Sequence, residues 1–470
     1  RFGSSLGPDV LRLRPLYRLL FVLFSLLGMS VKEGAPHSMS CYVAMYAAFF
    51  FVGVGCGWFP IDALLNLAEN EPSIPMLWIG KVLEIGGIVG ICDAVVYAAY
   101  LYLFPRRLPL RVEQAIVLGM ICANMVILAL LAGCWQVGAP QFPVIVIGAV
   151  IGNLVVNGTY YLLFPMVANF YGGWLVGPVR TGSDISTLVT ALLGQVQNPS
   201  GSETLFPSWV VLLCYALFAG MGLAAWLIIL RFGIGLRSGV EAEVESSKKH
   251  ISCEEAVDQE LADSEAPAAG ECSGRAGMLQ HLGAQLRGLA CPRSLLAPVL
   301  VGTSADVLQW GLMAAVMHIG AEMTDPAGCG GSRGQWVART SMTLNRVAIP
   351  LGSVASTLLP CSRRIHGFLG GVQAVVAVLM CCAVFGIASV AWTTVVGQEA
   401  YIACSMVLGG LEGYLLTMAY RFVGDAEDVP RAQRISASSL LSLLNVGFLC
   451  IFQIISGHIV ASGAVQCVTV

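Results

Sequence analysis

Eleven long apolar runs limit what this chain can fold into. They cover 42–66, 74–104, 113–134, 142–168, 173–195, 207–231, 294–322, 336–360, 366–391, 400–422 and 435–461. A helix of about 20 apolar residues crosses the hydrocarbon core of a bilayer. In lipid the backbone must satisfy its own hydrogen bonds, which helices of this length do. The predicted fold class is therefore an all-α polytopic membrane protein of about 11 spans. Composition agrees: 57% of the 470 residues are hydrophobic and 11% charged, against roughly 25% charged in a soluble domain. Mean hydropathy is +0.78. A net charge of −3 offers no footing for nucleic acid, so the partners expected are the lipid bilayer and a small solute.

Basic residues set the predicted orientation. With residues 1–40 in the cytoplasm and the spans alternating, the 25 Lys and Arg fall overwhelmingly on the cytoplasmic side. Only Arg333 and Arg339 lie outside, and Lys81, Arg180 and Arg346 lie within spans. The N-terminus is then cytoplasmic and the C-terminus extracellular, with the plasma membrane as the default location. The chain opens at Arg1 rather than Met, which leaves room for residues upstream. Leu16–Gly28 is too short to span and reads as an interfacial helix or retained anchor.

One large hydrophilic insert, 232–293, separates the runs into six and five. It is rich in Glu and Asp (Glu241, Glu243, Glu245, Glu254, Glu255, Asp258) and lacks aromatics beyond Phe232. Such a segment cannot bury enough surface to fold alone. The predicted organisation is a cytoplasmic N-terminal segment (1–40), a six-helix bundle (41–231), an acidic cytoplasmic linker (232–293) and a five-helix bundle (294–470). Two bundles rocking about a linker give a major-facilitator-like plan.

The chain carries no sign of covalent chemistry. Its 16 cysteines are scattered through apolar runs without a CxxC pair of ligand spacing, which argues against a zinc site. HExxH and Walker patterns are absent. No cofactor and no enzymatic activity are expected.

Charges inside spans are costly and so mark function. They are Asp62 in span 1; Lys81, Glu84 and Asp93 in span 2; Arg180 and Asp184 in span 5; Asp306 in span 7; Arg346 in span 8; and Glu412 in span 10. Lys81 and Glu84 are three apart and Arg180 and Asp184 four apart, so each pair could neutralise itself on one helix face. Arg346 has no acid in its own span and needs a partner from another helix. Glycines cluster at Gly53, Gly55 and Gly57, at Gly86, Gly87 and Gly90, and from Gly172 to Gly182, where close helix approach is expected. Pro60 and Pro178 are expected to interrupt their helices.

Several segments resemble the equilibrative nucleoside transporter family. Gly53-Val-Gly-Cys-Gly-Trp58-Phe-Pro60-Ile-Asp62 is similar to the family's glycine-rich first span with its Pro-Trp-Asn-like motif. Asn157-Gly158-Thr159 and Thr181-Gly182-Ser183-Asp184 echo its fourth- and fifth-span elements. Gly409-Gly-Leu-Glu412-Gly413-Tyr414, a short loop through Pro430, then Ala437 and Gly447 follow its last two spans. The family's eighth span holds an Asn, an Asp and a Gly-Arg that grip ribose. Here Asn345-Arg346 and Gly352-Ser353 keep the Asn but lack that Asp and the later Arg. The chain is thus a divergent match. Segments 157–200 and 300–380 also resemble riboflavin transporters, as at Phe206-Pro207 and Leu351-Gly352-Ser353.

The resemblance implies facilitative, alternating-access transport of purine nucleosides or nucleobases by a monomer, with riboflavin transport or a non-transporting scaffold as alternatives. The substrate is expected between spans 1, 2, 4, 5 and 8. Trp58 would stack on the base and Asn157 present its amide. Asp62 or Glu84 would accept from the sugar, and Arg346 would orient that carboxylate or touch the sugar itself. Leu65, Arg180, Asp184 and Asn345 complete the candidate set.

Overall fold

The computed structural model describes residues 39–70, 76–103, 108–137, 142–197, 205–234, 236, 291–312, 317, 320–321, 323–325, 332–384 and 393–462; a few side chains within these helices, that of Leu65 among them, fall outside the described set. Leu16–Gly28 and nearly all of the 232–293 insert also lie outside the described residues. Among the described residues every regular element is helical.

Among the described residues, twelve helices of twelve or more residues lie in the eleven predicted runs, because the first run is broken. The N-terminal half holds α1 (Met39–Gly55), α2 (Phe59–Asn70), α3 (Met76–Leu103), α4 (Leu110–Val137), α5 (Phe142–Gly158), α6 (Val176–Gln197) and α7 (Ser208–Phe232). The C-terminal half holds α8 (Arg293–Asp306), α9 (Ser332–Leu358), α10 (Arg363–Val384), α11 (Val395–Gly424) and α12 (Arg431–Ser462). Among the described residues, seven helices are long and apolar enough to cross a membrane: α3, α4, α5 with its continuation to Tyr171, α7, α10, α11 and α12. The broken or more polar ones, α1–α2, α6, α8 and α9, hold Asp62, Arg180, Asp306 and Arg346. α6 shows the reason most clearly: every residue from Leu175 to Asp184 is buried, so its polar groups meet protein rather than lipid.

Local chemistry sets the ends of these helices. α7 begins after Pro207, whose extended backbone (φ −69°, ψ 149°) starts the helix, and ends at Gly233 in the left-handed region (φ 62°). The Thr394 side chain caps α11 by accepting from the Gly397 N–H at 3.0 Å. α5 runs on through π-helical turns at Thr159–Leu163 and Val167–Tyr171 and stops at Gly172, where φ of 139° suits glycine. α8 likewise widens into a π-turn at Val307–Leu312. Pro60 and Pro178 do not interrupt helix interiors, contrary to expectation. Each sits in the first turn of its helix, α2 or α6, where no intrahelical bond is lost, and the chain has already broken before them. Among the described residues, Pro298 and Pro350 lie inside helices, and Pro165 lies within the continuation of α5.

The two halves meet along two seams, α3 against α12 and α6 against α9. In span numbers these are 2 with 11 and 5 with 8. A pseudo-two-fold that equates span n with span n+6 carries each seam onto the other. This is the all-α, major-facilitator-like plan of six plus five spans. Small residues let the helices close. A side chain on Gly87 or Gly90 would collide with Cys450 or Ile454 of α12. Within the N-terminal half, a Cβ on Gly53 would enter the Val179 carbonyl, and one on Gly182 the Phe50 carbonyl, so α1 and α6 cross backbone to backbone. Gly182→Val should therefore lower stability by about 1–3 kcal/mol, the usual cost of overpacking, while Gly119→Val, with nothing within 4 Å of its Cβ, should not. Melting of the two purified variants in detergent tests this; equal melting temperatures would contradict the crossing.

Candidate functional site

Arg180 stands at the centre of the molecule. Its position four residues before Asp184 puts both on one face of α6, with Nε 3.0 Å from Asp184 Oδ2. The pair is not self-contained. The guanidinium reaches out of the N-terminal half to Glu412 on α11 (Nη2 to Oε1, 2.5 Å) and to Asp306 at the end of α8 (Nη2 to Oδ1, 3.6 Å). Its other nitrogen donates to the Tyr160 hydroxyl, on the π-turn that follows α5. The rings of Tyr160 and Phe164 pack against the guanidinium carbon at 5.5 and 5.9 Å. Asp184 in turn accepts from Ser353 Oγ of α9 at 2.9 Å. One cation and three carboxylates, all at most 1% exposed, thus tie α6 to α8, α9 and α11.

A second feature lies beside it. Span 1 breaks at Cys56–Trp58, between α1 and α2, and polar side chains of neighbouring helices take up the freed backbone groups. Asn124 of α4 donates to the carbonyls of Gly55 (2.8 Å) and Gly57 (3.3 Å), and Thr159 donates to that of Cys56 (3.2 Å). Ser186 of α6 accepts from the Trp58 N–H at 3.0 Å and lies 3.3 Å from Asp62 Oδ2. The break turns Trp58 inward, 4% exposed, rather than toward the lipid interface. There it stacks on Trp310 of the other half, with centroids 5.5 Å apart and planes within 13°, and meets Tyr160 edge-on at 6.3 Å. Trp310 is set by the π-turn after α8, and its buried indole N–H has no hydrogen-bond partner among the described residues.

The predicted site residues separate into groups. Trp58, Arg180 and Asp184 come together at the interface of the halves, and Asp62 sits one hydrogen bond away through Ser186. Asn157 spends its amide on Asp93 of α3 at 2.8 Å, a bond between helices. Asn345 is held in an amide pair with Gln309 (2.6 and 3.2 Å) and donates to the Ser405 carbonyl. Arg346 is half-buried on α9, within electrostatic range of Tyr215, as is Asp62. Glu84 is not brought to the centre: its partners are Lys81 at 2.7 Å and His458 at 3.7 Å. Leu65 lies among the side chains outside the described residues. Tyr160, Asp306, Trp310 and Glu412 belong to the centre although none is in the predicted set. The signal available for the two acids was arithmetic: the spans hold more carboxylates than nearby cations, and Glu412 sits in a glycine-rich motif.

Comparisons with known proteins bear on the fold. No protein-family model matches the chain, and no curated protein matches it. Among solved structures it is similar to the human organic anion transporter MFSD10 (TETRAN), with a TM-score of 0.51 and 13% identity over 89% of this chain and 94% of that one. The chain has a major-facilitator-like fold. A bacterial homologue of the iron transporter ferroportin, in an outward-facing state with soaked iron, aligns at a TM-score of 0.45 and 13% identity, over 89% and 97% of the two chains. The E. coli fucose:proton symporter FucP aligns at 0.41 and 14%, over 88% and 98%.

Removing one member of a buried ion cluster strands the others, which typically costs about 3–5 kcal/mol. Arg180→Met should therefore destabilise the protein by that order, and adding Asp184→Asn and Glu412→Gln should recover part of the loss. Thermal unfolding in detergent reads both. A melting temperature for Arg180→Met equal to that of the unsubstituted protein would remove Arg180 from its central role.

Proposed function

We propose that this protein is an alternating-access membrane transporter whose substrates are purine nucleosides or nucleobases. The Trp58–Trp310 stack carries this reading. Two indole planes, one from each half of the molecule, lie nearly parallel at the meeting surface of the bundles. Parting the halves separates the planes and opens a slot for a flat heterocycle, whose faces the indoles would cover. The unpartnered Trp310 N–H lies ready to donate to a ring nitrogen or carbonyl of such a ligand. Asp62, joined to the break through Ser186, supplies a carboxylate acceptor for sugar hydroxyls. The resemblance of the first and last spans to nucleoside transporters points the same way.

Base-on-aromatic stacking is worth about 1–3 kcal/mol per base, so removing one indole should weaken apparent affinity roughly 5- to 150-fold. Uptake of adenosine, hypoxanthine, uridine and riboflavin into proteoliposomes, with and without Trp310→Ala, is the test. Saturable adenosine or hypoxanthine uptake with a raised KM in the variant is the expected outcome. Saturable uptake of riboflavin alone would reassign the substrate to that flat ring system. Vesicles that accumulate none of the four would leave the transport reading without support.

The same reading places 232–293 on the cytoplasmic side, as a linker between bundles. Protease added outside intact cells should leave that segment uncut, and cleavage there would invert the orientation.

A further inference from the structure

The central cluster does not balance its charge. One guanidinium faces three carboxyl groups on three different helices, Asp184 on α6, Asp306 on α8 and Glu412 on α11. All four side chains are at most 1% exposed. The other groups facing the cluster are the Tyr160 hydroxyl from the α5 continuation, the Ser353 hydroxyl from α9, and Tyr420 of α11, which bonds Ser442 of α12. None of them is a second cation. Fully ionised, the cluster would hold two net negative charges in the dry centre of the protein.

Asp306 Oδ1 and Glu412 Oε1 both face the same guanidinium nitrogen, Arg180 Nη2, at 3.6 and 2.5 Å. Three ionised carboxylates around one cation leave repulsion that the cation does not cancel, and a proton held by the Asp306 and Glu412 pair relieves it. One buried oxygen of each acid, Asp306 Oδ2 and Glu412 Oε2, has no donor among the described residues. A metal ion fits poorly here. Arg180 sits 3.6 Å from Asp306 and repels a cation, and among the described residues no group of His, Cys, Asp and Glu is arranged to hold a metal.

The division of the cluster between the two halves gives this proton a use. Arg180 and Asp184 belong to the N-terminal half and form a neutral pair within α6, whereas Asp306 and Glu412 belong to the C-terminal half. When the halves part, Arg180 leaves Glu412. The acid pair then loses its only cation and becomes wet on one side of the membrane. A second proton from that side restores neutrality and stays on the acid pair while access changes sides; on the far side Arg180 returns to Glu412 and displaces that proton into the opposite solution. We propose that Asp306 and Glu412 are the proton-binding site of the transport cycle, with Arg180 and a water-derived proton taking turns on Glu412. Transport is then proton-coupled, with one proton per cycle, rather than the passive exchange that the resemblance implies. This inference rests on the transporter reading above for its coupling, but the proton site itself does not.

Two measurements separate those parts. Infrared spectroscopy of the purified protein should show the carbonyl stretch of a protonated carboxyl group, lost in Glu412→Gln and in Asp306→Asn. Glu427→Gln, a change at an exposed loop acid, should leave it in place. A band unchanged by both core substitutions, or absent from the unsubstituted protein, overturns the site. In proteoliposomes, an inward acid gradient should drive adenosine or hypoxanthine accumulation of about tenfold per pH unit, as one proton per solute requires. An uncoupler should abolish it, and replacing sodium with potassium should not matter. Uptake that stops at equal concentrations under the gradient, or that follows sodium, overturns the coupling in the unsubstituted protein, whatever the variants do. If no tested solute enters while the infrared band behaves as expected, the nucleoside reading fails and the proton site stands.

Discussion

A bilayer offers no water to an exposed amide or charge, and the architecture of this protein answers that one shortage. Backbone groups are satisfied within helices, so the chain becomes a set of rods. Charges are drawn away from lipid to the place where rods face each other, which is the meeting surface of the two halves. The ion cluster is therefore a consequence of the solvent before it is a device. Four expensive side chains share one site because only there can they satisfy one another. Even so, the account between them is left open by more than one charge, and that imbalance is what gives the cluster something to do.

The same requirement explains how the interface is both tight and divisible. Along α1 and α6, glycines allow backbone contact within a half, which fixes the helices that carry Trp58 and Arg180. Across the halves, close glycine approaches such as Gly87 against Cys450 are joined by contacts between long side chains: Arg180 to Glu412, Trp58 to Trp310, and Phe164 to Tyr420 with ring centroids 5.3 Å apart. Backbone crossings resist separation, whereas side-chain contacts can be exchanged for water, protons or a ligand.

Much of the fold was legible in the sequence, because hydropathy reports directly on the solvent. Among the described residues, helices lie in every one of the eleven predicted runs. The site was legible in part. Arg180 with Asp184 announces itself through local spacing, and Trp58 through the glycines and proline around it. Glu412 lies 232 residues from Arg180, and no local pattern joins them. Trp310 is aimed by a π-turn, which adds a residue to the helical period and so escapes any reading based on 3.6 residues per turn. Asn157 and Glu84 were polar residues in costly places, and each is taken up by a neighbouring helix or by its own. A residue's type shows that it needs a partner but does not say which one.

The broken first span has a consequence during biosynthesis. Its carbonyls at Gly55 and Cys56 depend on side chains made 69 and 103 residues later. At ribosomal speeds of about 5–20 residues per second, those partners emerge after an interval of roughly 3–20 s. Until then the segment around Trp58 carries bare peptide groups that hydrocarbon cannot solvate. It must wait in the aqueous channel of the insertion machinery, at the membrane surface, or in the grip of a chaperone. The α1–α2 pair is therefore among the later parts of the protein to settle into lipid.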